Sequence, residues 1–282
     1  MGQELFRWNE VAWSPVESSV IMEHIYPAFE RGRIMKKELL WALRDYSYSA
    51  LQLQYPNYPD GIISGCRIGV EENFLNIGPG IIKCNGFLFL MERQEQVAYT
   101  SSNQYVSLKF RMAKREELPD YTRYITEYIL DRDMECTPSE LEICRFKLRE
   151  GARLRINYKD FFDIQTEYDT VNLADAVWAA RDGNTLSKYI TDYFAAKVLE
   201  CDRAQEADMQ FARMLLQSRD AVSRTVLDDY INRKTGNKTW KGPFRGKEAF
   251  DRLEGILEGI RSGRGSRESG KRTGNERMII LD

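Results

Sequence analysis

The chain has 282 residues and a formal net charge of −2, with 43% apolar, 30% charged and 12% aromatic residues. This length suffices for two domains of ordinary size, each with its own core. A nearly neutral chain has no overall electrostatic preference for nucleic acid or an anionic membrane surface, so any such preference must be local. Neither a secretory signal nor an apolar run of the ~20 residues that span a membrane is recognisable. We therefore predict synthesis in the bacterial cytoplasm and no membrane span.

The five cysteines are odd in number, widely spaced and never arranged as Cys-x-x-Cys; they are Cys66, Cys84, Cys136, Cys144 and Cys201. This spacing is not that of a structural zinc site or a disulfide framework. We predict reduced and mostly buried thiols, with Cys144 acting as a small core residue. No metal site and no cofactor are predicted.

Residues 1–57 form an aromatic-rich lead. Much of it is predicted to be helical, with Ile34, Leu39, Leu40 and Leu43 on one apolar face and Pro27 interrupting any single long helix. Its aromatic side chains allow two explanations, packing beneath a sheet or contact with another protein, since Trp and Tyr are common interface anchors. The interface candidates in this lead are Trp8, Trp13 and Trp41.

Residues 58–155 have the pattern of an antiparallel β domain. Asn85-Gly86 lies between two apolar runs and predicts a type I′ hairpin. The neighbouring strands follow one another too closely for a crossover helix, so this sheet is expected to be antiparallel. Residues 121–131 also come near helical spacing, but their Thr, Tyr and Ile favour a strand. The predicted strands are 67–71, 74–77, 81–84, 87–90, 105–111, 121–131 and 141–148.

Four short sequences occur in order over about fifty residues: DGIISGC at 60–66, PGI at 79–81, NGF at 85–87 and NQYVSL at 103–108. Together they resemble the amino-terminal β module of baseplate and tail-associated structural proteins of phages and phage-derived contractile particles, of the tailocin or injection-system type. The resemblance implies a building block of a tail tip or baseplate that is incorporated into a virion or phage-like particle. It implies baseplate or tail proteins as partners, in homo- and hetero-oligomeric contacts, and no catalytic residue.

Residues 169–260 change to helical spacing and predict a small bundle with short loops. The first helix is expected at 171–180 and to stop at Asp182-Gly183. A second is expected to be capped by Asn184 or Thr185. The remaining predicted helices are 206–217, one that is capped by Ser223 and ends before Gly236, and 247–260.

Two basic segments flank the last predicted helix. Residues 233–247 are basic and include Trp240 and Phe244. Residues 261–277 are rich in Gly and Ser and contain six Lys or Arg against two Glu, a local charge of +4. This predicted flexible tail, 261–282, closes with apolar residues that we expect to dock on a neighbouring subunit as an added strand or a pocket anchor. The interface candidates here are Trp240, Phe244, Ile279, Ile280 and Leu281.

The sequence offers no catalytic constellation. His24 is the single histidine, whereas most nucleophilic triads and proton shuttles depend on histidine. Paired carboxylates such as Asp228-Asp229 are adjacent in sequence, so their side chains diverge and are expected on solvated faces. The Gly78-Pro79-Gly80 turn lacks the Lys-Ser/Thr of a phosphate-binding loop. We predict that the chain is not an enzyme and has no catalytic or cofactor-binding residues.

The predicted fold class is α+β: a helical lead, an antiparallel β-sheet domain and a carboxy-terminal helical bundle with a basic tail. The predicted function is structural assembly of a phage-like tail tip or baseplate through protein–protein interfaces. The alternative is nucleic-acid binding through the helical domain and the basic segments 233–247 and 261–277. Acidic residues on the predicted helices, including Asp202, Glu206 and Asp229, argue against that alternative because they would repel phosphates.

Overall fold

The computed structural model describes residues 34, 36–119, 121–236 and 244–263. The chain divides into two compact units, residues 1–54 and 55–282. The described part of the first unit is dominated by one helix, α1, Lys37–Gln54. The second unit contains three sheets and four α-helices among its described residues, and its sheets are mostly antiparallel. The α+β class predicted from the sequence is confirmed.

The strands of the second unit are β1 Gly61–Gly65, β2 Ile68–Glu71, β3 Phe74–Ile77, β4 Gly80–Cys84, β5 Phe87–Met91, β6 Glu95–Ala98, β7 Tyr105–Glu117, β8 Thr122–Asp131, β9 Glu140–Lys147, β10 Trp178–Ala180 and β11 Gly183–Thr185. They form a five-stranded sheet in the order β11-β10-β1-β4-β5 and two three-stranded sheets, β2-β3-β6 and β8-β7-β9. The helices are α2 Lys188–Leu199, α3 Glu206–Gln217, α4 Arg224–Thr235 and α5 Gly246–Ser262, and a 3-10 turn spans Phe161–Gln165.

The predicted β4–β5 hairpin is confirmed. Asn85 and Gly86 both have positive φ angles, 50° and 75°, as a type I′ turn requires. The Asp60 carboxylate accepts hydrogen bonds from the backbone N–H groups of Asn85 (2.8 Å) and Gly86 (3.1 Å). The turn is therefore fixed both by its own residue types and by a carboxylate that precedes β1.

The antiparallel pairing predicted for this region is confirmed, but the strands divide between two sheets rather than forming one. The described pairings within residues 61–98 are antiparallel, but β4 pairs with β1 and β5, while β2, β3 and β6 form a separate sheet. The five-stranded sheet also gains β10, which pairs with β1 in parallel through Ile62 and Trp178. A pairing between segments more than a hundred residues apart leaves no local signal in either strand.

The prediction of a helix at 171–180 is wrong. Asn172 forms an isolated bridge with Arg145, and β10 follows at Trp178–Ala180. Val171, Ala174 and all of β10 are buried, because this segment lies between packed elements rather than on a surface. A short apolar run that is buried on both sides cannot be told from a helix by its spacing.

The other helices are close to prediction. α3 has the predicted bounds, and α4 begins after Ser223 and ends at Gly236, whose φ angle of 71° is left-handed. The caps predicted for α2 are wrong, because Asn184 and Thr185 lie in β11 and the helix begins after Ser187. Strands β7, β8 and β9 also confirm the three strands predicted there.

One continuous hydrophobic core joins the sheets of the second unit to its helices. At the junction with the helices, the ring of Phe161 stacks on Phe250 with centroids 4.7 Å apart. The thiols of Cys66, Cys84 and Cys144 are buried in this core, as predicted, whereas Cys136 is exposed. Cys144 is a small core residue on β9.

Candidate assembly surfaces

Helix α1 presents apolar side chains without burying any of them. None of its 18 residues is buried. Six large apolar or aromatic side chains are exposed by 44% to 78%. They are Leu40, Trp41, Leu43, Tyr46, Tyr48 and Leu53. An apolar surface of this kind on a helix is typical of one that packs against another element.

The spacing along α1 is that of a helix–helix contact. Leu39, Leu43, Tyr46, Ala50 and Leu53 follow one another at intervals of four, three, four and three residues, the heptad spacing of knobs-into-holes packing. We call this row the α1 seam. It starts at Leu39 and continues towards Gln54. The predicted apolar face shares Leu39 and Leu43 with the seam, whereas Ile34 lies before the start of α1 and Leu40 lies off the seam.

Trp41 and Tyr48 lie seven residues apart on the side of α1 opposite the seam. The ammonium of Lys37 lies 5.2 Å from the centroid of the Trp41 ring, and the indole is 50% exposed. Trp41, an interface candidate from the sequence, is thus at the surface of its helix.

Of the remaining interface candidates, Phe244 lies among the described residues. It is half-buried against the core, and the Arg224 guanidinium lies 5.6 Å from its ring. The other candidates lie outside the described residues, as does His24; they are Trp8, Trp13, Trp240, Ile279, Ile280 and Leu281.

A second candidate surface is a cleft of about 250 Å³ beside α2. Three tyrosines line it, Tyr158, Tyr189 and Tyr193, together with Arg67, Asn157 and five aliphatic side chains. The aliphatic ones are Ile68, Ile156, Ile164, Leu173 and Ile190. We call it the tyrosine cleft.

Two of its tyrosines are held by backbone carbonyls. The Tyr158 hydroxyl donates to the carbonyl of Val171 (2.8 Å) and the Tyr189 hydroxyl to that of Gly65 (3.1 Å). Burial raises the pKa of both phenols, so they stay neutral donors at neutral pH. The cleft therefore offers fixed aromatic walls rather than a general base.

Arg67 supplies the positive charge of the cleft. Its guanidinium carbon lies 6.0 Å from the Tyr189 ring centroid, and the residue is exposed. Within the part of the chain that the structure describes, Arg67 has no ion pair with a carboxylate. An aromatic and aliphatic cleft with one available cation suits an apolar group that carries a negative charge.

Among the described residues, no group of His, Cys, Asp or Glu could hold a metal ion. No described helix is long and apolar enough to cross a membrane.

The expectation of solvated carboxylates is wrong for Asp228, whose side chain is 20% exposed and paired with Arg224. Burial raises the pKa of Asp228. Its pairing one helical turn from Arg224 gives it a structural role in α4.

Sequence reasoning missed the tyrosine cleft. Residues 156–168 lie between the predicted β domain and the predicted helical bundle and were given no role, yet Asn157 and Tyr158 form one wall of the cleft. The available signal was the pair Tyr189 and Tyr193, four residues apart and hence on one face of α2. Nothing local indicated that this face would meet the 156–164 segment.

Comparison of the sequence with protein-family models and with curated proteins finds no match. Comparison of the fold with solved structures finds six similar chains, among them the following three. A crystal structure of TssK has a TM-score of 0.40 and 8% identity, over 86% of this chain and 73% of that chain. A TssK-TssF-TssG baseplate subcomplex of the type VI secretion system, seen by cryo-electron microscopy, has a TM-score of 0.37 and 9% identity over 84% and 99%. A type VI secretion baseplate complex has a TM-score of 0.35 and 9% identity over 85% and 99%.

Proposed function

We propose that this chain is a structural assembly component of a phage-like tail tip or baseplate and acts through protein–protein interfaces. The observation that carries the proposal is α1, an 18-residue helix with no buried side chain and a heptad row of apolar residues. In proteins, most of the stability of a helix comes from packing of its apolar face against another element. Full burial of a Leu side chain contributes about 1.5–3 kcal/mol, so a partner for the seam would stabilise α1 considerably.

The residues behind the sequence resemblance support the same proposal, because hydrogen bonds join them into one local structure. The backbone N–H of Cys66 donates to the carbonyl of Pro79 (2.9 Å), and the Asp60 carboxylate accepts from Asn85 and Gly86. The first three short sequences therefore form one β1–β4–β5 unit.

No described feature favours nucleic-acid binding. In the described part of the basic segment, Arg233, Lys234 and Lys247 each form an ion pair with an aspartate at 2.7–3.0 Å. Phosphate binding would have to compete with these pairs.

The test is co-purification from the native cells. The chain is tagged, sedimented through a gradient with and without nuclease, and its companions are identified by mass spectrometry. We expect a large, nuclease-resistant set of tail or baseplate proteins. A small complex that nuclease disperses would refute the assembly function and favour the nucleic-acid alternative.

The contribution of the α1 seam is tested in the same gradients. Leu43→Glu combined with Leu53→Glu removes two apolar contacts of about 1.5–3 kcal/mol each, so association should fall by at least about 100-fold. Arg44→Glu adds a carboxylate on the other side of α1 and should leave association within about threefold. Equal sedimentation of the seam variant and the unchanged chain would show that the α1 seam does not mediate assembly.

A further inference from the structure

The chain contains a segment whose chemistry matches the tyrosine cleft. Residues 278–281 are Met-Ile-Ile-Leu, and Asp282 follows them. Aliphatic side chains suit the five aliphatic residues that line the cleft, and a carboxylate suits Arg67. At about 250 Å³, the cleft exceeds the ~150 Å³ cavity that accommodates a benzene molecule, so it has room for a large aliphatic side chain.

The tail starts beside the wall of this cleft. Near the end of α5, Arg261 donates two hydrogen bonds to the Asp160 carboxylate, at 2.8 and 2.9 Å. Asp160 precedes the turn Phe161–Gln165 and caps it. Asn157 and Tyr158, which line the cleft, are only three and two residues before Asp160. The last described residues, up to Gly263, are therefore anchored to the segment that forms the cleft.

The intervening chain is long enough to return to the cleft. Residues 264–277 are 14 residues, which span at most about 46–50 Å when extended at ~3.3–3.6 Å per residue. A Gly- and Ser-rich chain of this length has a root-mean-square span of about 19–22 Å. A tether of this kind gives its end an effective concentration in the millimolar range, so even weak docking within one molecule is populated.

We propose that residues 278–281 dock at the tyrosine cleft of their own chain, with one aliphatic side chain inserted into it and the Asp282 carboxylate paired with Arg67. The inserted side chain contacts the tyrosine and aliphatic walls of the cleft, and the ion pair satisfies its cation. The sequence predicted docking of this segment on a neighbouring subunit. The anchoring of α5 at Asp160 instead favours the cleft of the same molecule, because that cleft adjoins the start of the tether.

Occupancy is tested by photo-crosslinking of the purified full chain at low micromolar concentration. Ile280 is replaced by p-benzoylphenylalanine, and the crosslinked peptides are identified by mass spectrometry. We expect a product of monomer mass joined to residues 156–164 or 189–193. A product joined only to other segments, a product of dimer mass, or no product would each overturn the proposal. The same probe at Ser269, within the tether, is the control and should not label those two segments.

The ion pair is tested by charge reversal in the Ile280 probe background. Arg67→Glu should lower the crosslink yield about two- to fivefold, as expected for an exposed pair turned repulsive. Adding Asp282→Arg should restore the yield. Arg93→Glu, a reversal at another exposed arginine, is the matched control and should leave the yield unchanged. An unchanged yield with Arg67→Glu would overturn the Asp282–Arg67 pair. None of these experiments requires a baseplate partner, so they can fail while the assembly function holds.

Discussion

Lys109 lies inside the β8-β7-β9 sheet, and its side chain is only 1% exposed. Its ammonium donates to Asp131 Oδ2 (3.0 Å) and to the carbonyl of Glu135 (2.6 Å), and Glu140 Oε2 lies 3.7 Å away. Burial works against the charge, but the hydrogen bond to Asp131 and the nearby negative charges outweigh it and raise the pKa of Lys109. The lysine thus ties the connection between β8 and β9 to the sheet.

We predict that Lys109→Met destabilises the second unit by about 3 kcal/mol. Breaking a buried ion pair costs about 3–5 kcal/mol when the remaining charge stays buried. We expect the lower end of this range because the remaining carboxylates are not left without partners. Glu140 still accepts hydrogen bonds from Arg111 Nε (2.7 Å) and from the Thr137 N–H (3.0 Å), and Asp131 is 34% exposed to water. For a unit of this size, each kcal/mol lowers the melting temperature by about 2–4 °C, so the expected loss is about 6–12 °C.

Thermal and urea unfolding, followed by circular dichroism, measure this loss. Lys114→Met is the matched control, because Lys114 is on the same strand with its side chain 63% exposed; its effect should be within about 0.5 kcal/mol. Glu140→Gln removes one of the negative charges that lose their cation in Lys109→Met. The Lys109→Met/Glu140→Gln variant should therefore be more stable than the sum of the two single effects predicts. A loss below about 1 kcal/mol for Lys109→Met would refute the reasoning.

Three further outcomes follow from local geometry. Gly246→Ala should destabilise by about 1–3 kcal/mol in thermal unfolding, because a Cβ would overlap the Ala174 carbonyl; Gly255→Ala, with nothing within 4 Å, should stabilise by about 0.5–1 kcal/mol. Burial works against the Asp182 carboxylate, but hydrogen bonds at the start of α4 lower its pKa to about 2. Its contribution is therefore present above about pH 4 and lost as the pH falls through about 2, and Asp182→Ala should remove that slope in acid titrations of stability. Native iodoacetamide labelling with intact-mass readout should modify the exposed Cys136 before Cys66, which is buried and has its pKa raised to about 12.

Elements that depend on local chemistry were predictable from the sequence. Asn85-Gly86 supplies the two positive φ angles that the β4–β5 turn needs. Gly236 ends α4 because a left-handed glycine suits that position. Both of these signals act within a few residues, so reading them required no knowledge of the rest of the fold. The start of α4 after Ser223 was also predicted, but the Ser223 side chain makes no capping hydrogen bond, and the Asp182 carboxylate accepts from the N–H groups of Arg224 and Thr225 instead.

Elements that depend on distant partners were not predictable in this way. The segment that contains β10 has apolar residues at helical intervals, but Trp178 pairs with Ile62 on one side and Thr185 on the other. The sheet therefore overrides the local preference. Similarly, the tyrosine cleft exists because one face of α2 meets a segment some thirty residues earlier, and neither segment alone indicates a cleft.

The two surfaces require different partners. The α1 seam is a row of apolar residues on a convex helix, so covering it needs a second helix or groove that reaches along its length. The tyrosine cleft is concave and small, so a few side chains on a short segment can fill it. Docking of residues 278–281 at the cleft would be an intramolecular contact, whereas burial of the α1 seam depends on another molecule. Loss of the tail docking should then affect the cleft, whereas substitutions in the seam should affect association.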